Sequence, residues 1–529
     1  MRLGVDFGTT RTVVAAADRG NYPIVTFQDA HGDHVDHFPS VVAEVDGELR
    51  FGFDALAAVH SGAPVRRSLS APMRRSLKRW LGASDLSETS TIMVGDTEYP
   101  LIDVVTGFLT ALRRALGTSS IGDDLVADQP PQAVIAVPAH AHGAQRFWTL
   151  EAFQRAGFDV LAMVNEPSAA AFEYTHRQPR TVNSRRTRMI VYDLGGGTFD
   201  ASSVSVGGAE HEILASIGLN RLGGDDFDAL LAELCAATAG ISLDALPTED
   251  RERLLDDARE AKERIAPQSK KIVVEVCGDP VTVEVNDFYD RASELVEFTL
   301  AAMEPLLEDL IADPSTSDIA GIHLVGGASS LPVVPRILRE HFGRRVHRSP
   351  NPMASTAIGL AIAADPSSGY ALTDRLSRGF GVFREGEGGT ALVLDEIFGP
   401  SVEFGAGSRT VTREYRAAHN IGWFRFVEYP SRTIIGGGSE GVDVSAPAGD
   451  LLPYGRIIMP FDAALEQLGD EDLCAVPVER VWSAGPTGPA VSAPLIRENF
   501  TLDGNGIITV EITNLDSGHT RSRRLTGAG

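Results

Sequence analysis

One pattern of apolar and polar positions occurs twice in the chain. Leu3-Gly4-Val5 leads into the polar turn Asp6-Phe7-Gly8-Thr9-Thr10 and out through Val13-Val14-Ala15-Ala16. Much later, Met189-Ile190-Val191-Tyr192 leads into Asp193-Leu194-Gly195-Gly196-Gly197-Thr198 and out through Phe199, Ala201, Val204 and Val206. Each reads as strand, glycine turn, strand. A unit repeated in two halves of one chain predicts two similar lobes facing each other, with ligand in the cleft between them.

Between the repeats, Ala133-Val134-Ile135-Ala136-Val137 is an apolar run of the buried-strand kind that Pro138 ends, and helical spacing follows through Trp148, Phe153 and Ala156 to Gly157. Asn165-Glu166-Pro167-Ser168 predicts a helix start, with proline in the first turn. Residues 176–188 read as a surface loop and residues 250–265 as a charged surface helix. Ile322-His323-Leu324-Val325, then Gly326-Gly327-Ala328-Ser329 and an apolar-periodic stretch after Pro332, give a third strand, glycine turn and helix. Strand and helix alternate throughout, so the first two-thirds is an α/β unit.

Beyond residue 365 the pattern changes to short Val, Ile, Phe and Thr runs separated by glycine turns such as 386–389 and 436–438, which predicts a mainly β region. Its clearest hairpin is Phe500-Thr501-Leu502, turn Asp503-Gly504-Asn505-Gly506, then Ile507 to Ile512, with no long helix expected after it. At 529 residues the chain needs more than one core.

A net charge of −25 sets a field that repels nucleic acid and anionic membrane, so neither is an expected partner. Cys235, Cys277 and Cys474 have no CxxC spacing, which suggests neither a disulfide framework nor zinc. No export signal or membrane span is read, so the expected location is the cytoplasm.

No Gly-Lys pair occurs, so a P-loop is excluded and any phosphate site has another design. The glycine turns supply one: their N–H groups can converge on phosphate oxygens, with Thr9, Thr10 and Thr198 adding hydroxyl donors. Asp6 and Asp193 beside a polyanion would repel it unless a divalent cation, Mg²⁺ by preference, lay between. An isolated aspartate there would read as a turn cap, but two in matched contexts favour the metal.

Only four lysines occur, Lys78, Lys262, Lys270 and Lys271, among 47 basic residues. Lys78 therefore stands out as a compact ammonium able to orient a water or a γ-phosphate, against the plainer reading of a solvated basic face. Glu166 reads either as a water-positioning carboxylate or as an anion favoured at a helix N-terminus. His140 and His142 lack a third ligand and are given no role.

Taken in order, GVDFGTT, VNEPSAAA, YDLGGGTFD, LGGDDFD and LVGGASSLP resemble the ATPase domain of the heat shock protein 70, or DnaK-type, chaperone family over about residues 1–365. The resemblance implies an actin-like, two-lobed ATPase domain of duplicated ribonuclease H-like fold at 1–366, a linker at 367–380, and a smaller β-rich domain at 381–529. That last domain resembles the family's substrate-binding β-sandwich through LSRGFGVF, NIGWFRFVEYP and LDGNGIITVEI, without the helical lid.

By position, the resemblance implies that Lys78, Glu166, Asp193 and Thr198 are catalytic, and that Asp6 and Asp193 hold Mg²⁺ through water. It further implies nucleotide contacts at Thr9, Thr10, Gly195, Gly196, Gly197, Thr198, Gly223, Gly224, Asp225, Lys262, Gly326 and Gly327, and an interdomain relay at Pro138 and Arg146. Ligands would be ATP or ADP and Mg²⁺, with K⁺ left open; partners would be unfolded polypeptide or one dedicated protein, and co-chaperones. Departures are Ser330 in the adenosine loop, Glu263 and Ala266 on the adenine helix, NPMAS at 351–355, and no acidic, leucine-rich linker after Gly369. The expected function is an ATP-hydrolysing chaperone of stress response and protein folding. Two alternatives stand beside it: a nucleotide-responsive interaction module with slow or no turnover, and, disfavoured by the β tail and LGGDDFD, an actin-superfamily metabolite kinase.

Overall fold

A computed structural model of the chain describes all residues except 61–72, 126–128, 179–181, 208–209, 220–221, 314–316, 387–390, 401, 406, 436–443, 482–492 and 528–529. The glycine turns read at 387–389 and 436–438 lie outside the described residues.

Strands β1 (Arg2–Phe7) and β2 (Arg11–Ala17) pair antiparallel around the first glycine turn. Strand β3 (Gln132–Val137) lies parallel to β1, and β4 (Asp159–Asn165) parallel to β3. With the short strand Phe38–Pro39 they form one sheet, ordered β4-β3-β1-β2 and then the short strand. The second half repeats the plan. Strands β5 (Arg188–Leu194) and β6 (Phe199–Gly207) pair antiparallel around the second turn, with β7 (Glu210–Leu219) antiparallel beyond them. Strand β8 (Ile319–Val325) lies parallel to β5, and β9 (Val346–Arg348) parallel to β8. Lobe I and lobe II thus share one connectivity, and the sequence repeat is a structural duplication.

Helices cover both faces of these sheets, so Leu3, Val5, Ile190 and Tyr192 are fully buried and the central strands read as unbroken apolar runs. The helices that shape the cleft are α1 (Leu77–Leu81), α2 (Gly143–Arg155), α3 (Glu166–Arg177), α4 (Gly224–Thr238), α5 (Thr248–Glu263) and α6 (Ser355–Ala364). Helix α6 follows lobe II in sequence yet lies on the lobe I sheet. A side chain at Gly4 would come within 2.7 Å of the Leu360 carbonyl carbon, and one at Gly359 within 3.0 Å of the Ala169 Cα. Only glycine permits that approach of helix to strand and of α6 to α3.

Two sequence expectations need correction. The loop read at 176–188 begins later, because His176 and Arg177 complete α3. Helix α5 is charged but not a pure surface helix: Leu254, Ala258 and Lys262 are buried.

Beyond α6, β10 (Ala371–Arg375) falls inside the segment read as a linker and pairs parallel with β7, extending the lobe II sheet; Glu403–Phe404 adds antiparallel to it. Backbone pairing, which any sequence can supply, stands where the leucine-rich composition is missing. The remaining chain is a two-sheet sandwich. Strands β11 (Gly379–Gly386), β12 (Ala391–Phe398) and β14 (Ile421–Tyr429) lie in one sheet; β13 (Arg409–Arg416), β15 (Leu495–Leu502), β16 (Ile508–Asn514) and β17 (Thr520–Arg524) form the other. Phe380, Phe426, Phe500, Val510 and Ile512 fill the space between them.

The sandwich docks on lobe I through α2. Ile507, at the tip of the β15–β16 turn, packs into the lobe I core; Trp148 Nε1 donates to the Thr526 carbonyl at 2.8 Å; and the Met163 amide donates to Asn505 Oδ1 at 3.1 Å.

Candidate functional site

The two glycine turns face each other across a cleft of about 970 Å³. Asp6, Thr9 and Thr10 line it from lobe I, and Asp193, Gly195, Gly196 and Thr198 from lobe II. A side chain at Gly196 would fall 3.3 Å from the Thr9 hydroxyl and closer still to that of Thr10, so the hydroxyls of one turn lie against the bare backbone of the other. The second turn is anchored to α4: the Gly224 amide donates to the Gly195 carbonyl at 2.9 Å and the Asp225 amide to the Gly196 carbonyl at 2.7 Å.

Gly326, at φ +84°, ends β8 against the Asp193 carboxylate and the Leu194 backbone, where a Cβ would collide. The third turn therefore backs the second aspartate. Gly224, Asp225, Lys262, Gly326 and Gly327 all line the same cleft. Lys262, buried, donates to the Gly224 carbonyl at 2.8 Å and pairs with Asp228 at 2.6 Å, fixing the end of α5 to the start of α4.

Lys78 enters from α1, whose Leu77 and Leu81 are buried and hold the short helix to the lobe I core. Its ammonium donates to Glu166 Oε1 at the N-terminus of α3. Burial pulls the Lys78 pKa down, but Glu166, Asp6 and Asp193 outweigh it and the ammonium is held charged above its ordinary value. The neighbouring acids feel the reverse. Burial, opposed by Lys78 and reinforced by Glu166, pushes Asp6 up to about 7. Asp193 is raised well above the carboxylate range by burial and then by Glu166, Asp200 and Asp6.

Three carboxyl groups thus share one ammonium, a surplus of acid that a divalent cation would neutralise. Among the described residues no three acidic or imidazole groups converge into a direct metal cage. Asp6 and Asp193 are the cleft carboxylates that could hold such a cation.

Three residues predicted for the site do not line the cleft. Gly197 sits behind it, where its carbonyl accepts from Arg79; Gly223 packs on the Gly197 backbone and caps α4; Arg146 lies on α2, donating to Asn165 Oδ1 at 2.9 Å and to the Asn505 carbonyl at 2.8 Å. Pro138 lines the cleft five residues before α2 begins.

Other cleft residues escaped the sequence reading. Arg79 crosses from lobe I to the Gly197 carbonyl and approaches Asp225 at 3.7 Å. His140, given no role, pairs across the lobes with Asp200 at 2.9 Å. Adjacency to Lys78 could have marked Arg79, and the final aspartate of YDLGGGTFD could have marked Asp200. His142 is an N-cap of α2, as a helix-start residue should be, its Nδ1 accepting from the Gln145 amide at 3.2 Å.

Residues 87–377 match the sequence family described as Hsp70 protein. A chaperone protein HscA homolog of Burkholderia mallei (strain SAVP1) is 35% identical, over 70% of this chain and 59% of its own length, and one of Burkholderia pseudomallei (strain K96243) gives the same figures. The chaperone protein DnaK of Thermotoga neapolitana is 29% identical over 99% of this chain and 80% of its own. The chain spans 59% of the length of the HscA relatives.

Proposed function

The chain belongs to the Hsp70 family, and from that premise we propose that it is an ATP-hydrolysing molecular chaperone whose cleft binds ATP with Mg²⁺ and whose β sandwich binds protein under nucleotide control. One observation carries the ATPase reading: the single cleft-facing ammonium of α1, Lys78, is pinned by Glu166 among Asp6, Asp193 and Thr198. Lys78, held charged, orients a water toward the γ-phosphate; Glu166 fixes the ammonium, and Thr198 with the turn amides supplies donors to the phosphoryl oxygens. Mg²⁺ held at Asp6 and Asp193 would supply positive charge that offsets the charge developing on the phosphates.

The docked sandwich supports communication between the cleft and the β unit. Strand β3 ends at Pro138 beside the phosphate turns and runs into α2, whose Arg146 and Trp148 grip the sandwich. Nucleotide-driven movement of the lobes would act on that helix.

A second reading of the β unit is favoured by its interior. Glu498 is fully buried and accepts from both Arg384 amino groups at 3.0 and 2.6 Å and from Tyr415 at 2.6 Å, while Asp395 bridges Arg384 and Arg413. The partly exposed members of this network, Arg384, Asp395 and Arg413, would offer a partner paired charges rather than a bare apolar surface, which suits a dedicated partner better than any apolar segment.

The test is the ATPase rate with and without an unfolded polypeptide, alongside Lys78→Ala. Turnover that the polypeptide accelerates and Lys78→Ala abolishes is expected. Turnover indifferent to polypeptide would favour the dedicated partner, and none at all would leave a nucleotide-responsive binding module.

A further inference from the structure

Glu263 and Ser330 read as losses from the nucleoside side of the cleft, but a residue of the other lobe faces Glu263. Arg11 opens β2 directly after Thr9 and Thr10, paired in register with Pro39. Its guanidinium crosses from lobe I, donating from Nη2 to Glu263 Oε2 at 2.6 Å and from Nη1 to Met353 Sδ at 2.8 Å. Glu263 is the last residue of α5, and its neighbour Lys262 is tied to α4, so the carboxylate is fixed to lobe II. One end of this ion pair moves with lobe I and the other with lobe II.

Arg11, Glu263 and Met353 line the cleft together with Lys262 and Gly326, the residues that the proposed reading gives to the nucleotide. We propose that the Arg11–Glu263 pair is a nucleotide-retention latch: it closes over the bound nucleotide, must break for the lobes to part, and so sets the rate at which ADP leaves. The inference rests on the reading of the cleft as a nucleotide site. It turns the departure at Glu263 from a weakened contact into a relocated one, with Arg11 supplying from lobe I the positive charge missing at position 263.

The side chains are 26% and 40% exposed, so the pair adds little to the stability of the fold. Its effect belongs to the difference between closed and open lobes. It is also open to salt screening, which buried contacts are not.

The test is release of tritiated ADP, followed by filter binding after a chase with unlabelled ATP, for the full chain and for Arg11→Met, Glu263→Gln and the double variant. Each single change should speed release roughly two- to fivefold, the range of an exposed ion pair, and the double no further. Release from the unmodified chain should quicken with ionic strength, and that dependence should weaken equally in all three variants, the remainder belonging to the other exposed pairs between the lobes, Arg75–Asp256 and Arg79–Asp225. The exchanged pair Arg11→Glu with Glu263→Arg should restore slow release, which separates a latch from damage to the fold.

Arg11 could instead serve the phosphates directly. In that case Glu263→Gln would free it for them and slow release, overturning the latch, as would additive effects in the double variant. Bound ADP whose release no variant alters would overturn the latch alone; failure of the unmodified chain to bind ADP would overturn the nucleotide reading with it.

Discussion

Replacing Gly143 by alanine separates the stability of α2 from the docking of the sandwich. Gly143 is the first residue of α2 and has no positive φ, so alanine fits the backbone and would on propensity alone stabilise the helix by up to about 1 kcal/mol. The sandwich reverses that sign. An added Cβ would stand 2.6 Å from Glu428 Oε1 and closer still to the Tyr454 hydroxyl, and both side chains are buried. Glu428 accepts the Gly143 amide at 3.0 Å and the Tyr454 hydroxyl, with Arg378 at 3.7 Å.

Moving the carboxylate aside forfeits the charge-assisted bond from Gly143, about 1.5–3 kcal/mol, and overpacking costs a comparable amount. The two overlap, so a net loss of about 3 kcal/mol is expected, a shift of roughly a hundredfold in the docking equilibrium. Trp148, whose indole N–H bonds the Thr526 carbonyl, reports undocking by its fluorescence, and small-angle scattering reports the change in shape. A Gly143→Ala chain that melts higher with both signals unchanged would refute the reasoning.

Three further outcomes follow from single groups. Burial pushes the His142 imidazole down to about 4 from an ordinary 6.5, so the fold favours its neutral form; stability is fully present above pH 6.5 and drains as pH falls through about 4, and His142→Asn should flatten urea midpoints over that window. Arg384→Met leaves Glu498 buried without its cation and should cost about 3–5 kcal/mol in urea unfolding, most of it recovered when Glu498→Leu is added. Chelation of divalent cations should remove ATP turnover and leave the circular dichroism of the chain unchanged, because the Asp6 and Asp193 side chains line the cleft while their strands are held by backbone pairing that needs no cation.

The parts of this fold legible in the sequence are those set by local backbone demand. A glycine at φ +84° against Asp193, or a strand buried on both faces, leaves its mark within a few residues, so the three turns, the duplicated strands and the start of α3 could be read directly. The end of α3 and the buried stripe of α5 were misplaced because polar residues there are packed by distant chain, His211 beside Thr175 and Asp228 beside Lys262. Gly143 carried no visible signal at all: its constraint comes from Glu428, 285 residues away.

Lys78 was conspicuous because lysine is rare here, and the same skew hid the arginines, since 47 basic residues less four lysines leave 43 of them and each reads as surface charge. The structure separates a few by what they span. Arg11 reaches from lobe I to Glu263, Arg79 from lobe I to the Gly197 carbonyl, and Arg146 from lobe I to the Asn505 carbonyl of the sandwich. A planar fork with several donors can hold two acceptors at once, as Arg146 holds Asn165 and Asn505, whereas an ammonium offers a point charge. Lysine at these three positions should therefore keep the charge and lose the bridge. These three guanidinium groups bridge lobe I to lobe II or to the sandwich, and such a boundary is visible only once both sides have folded.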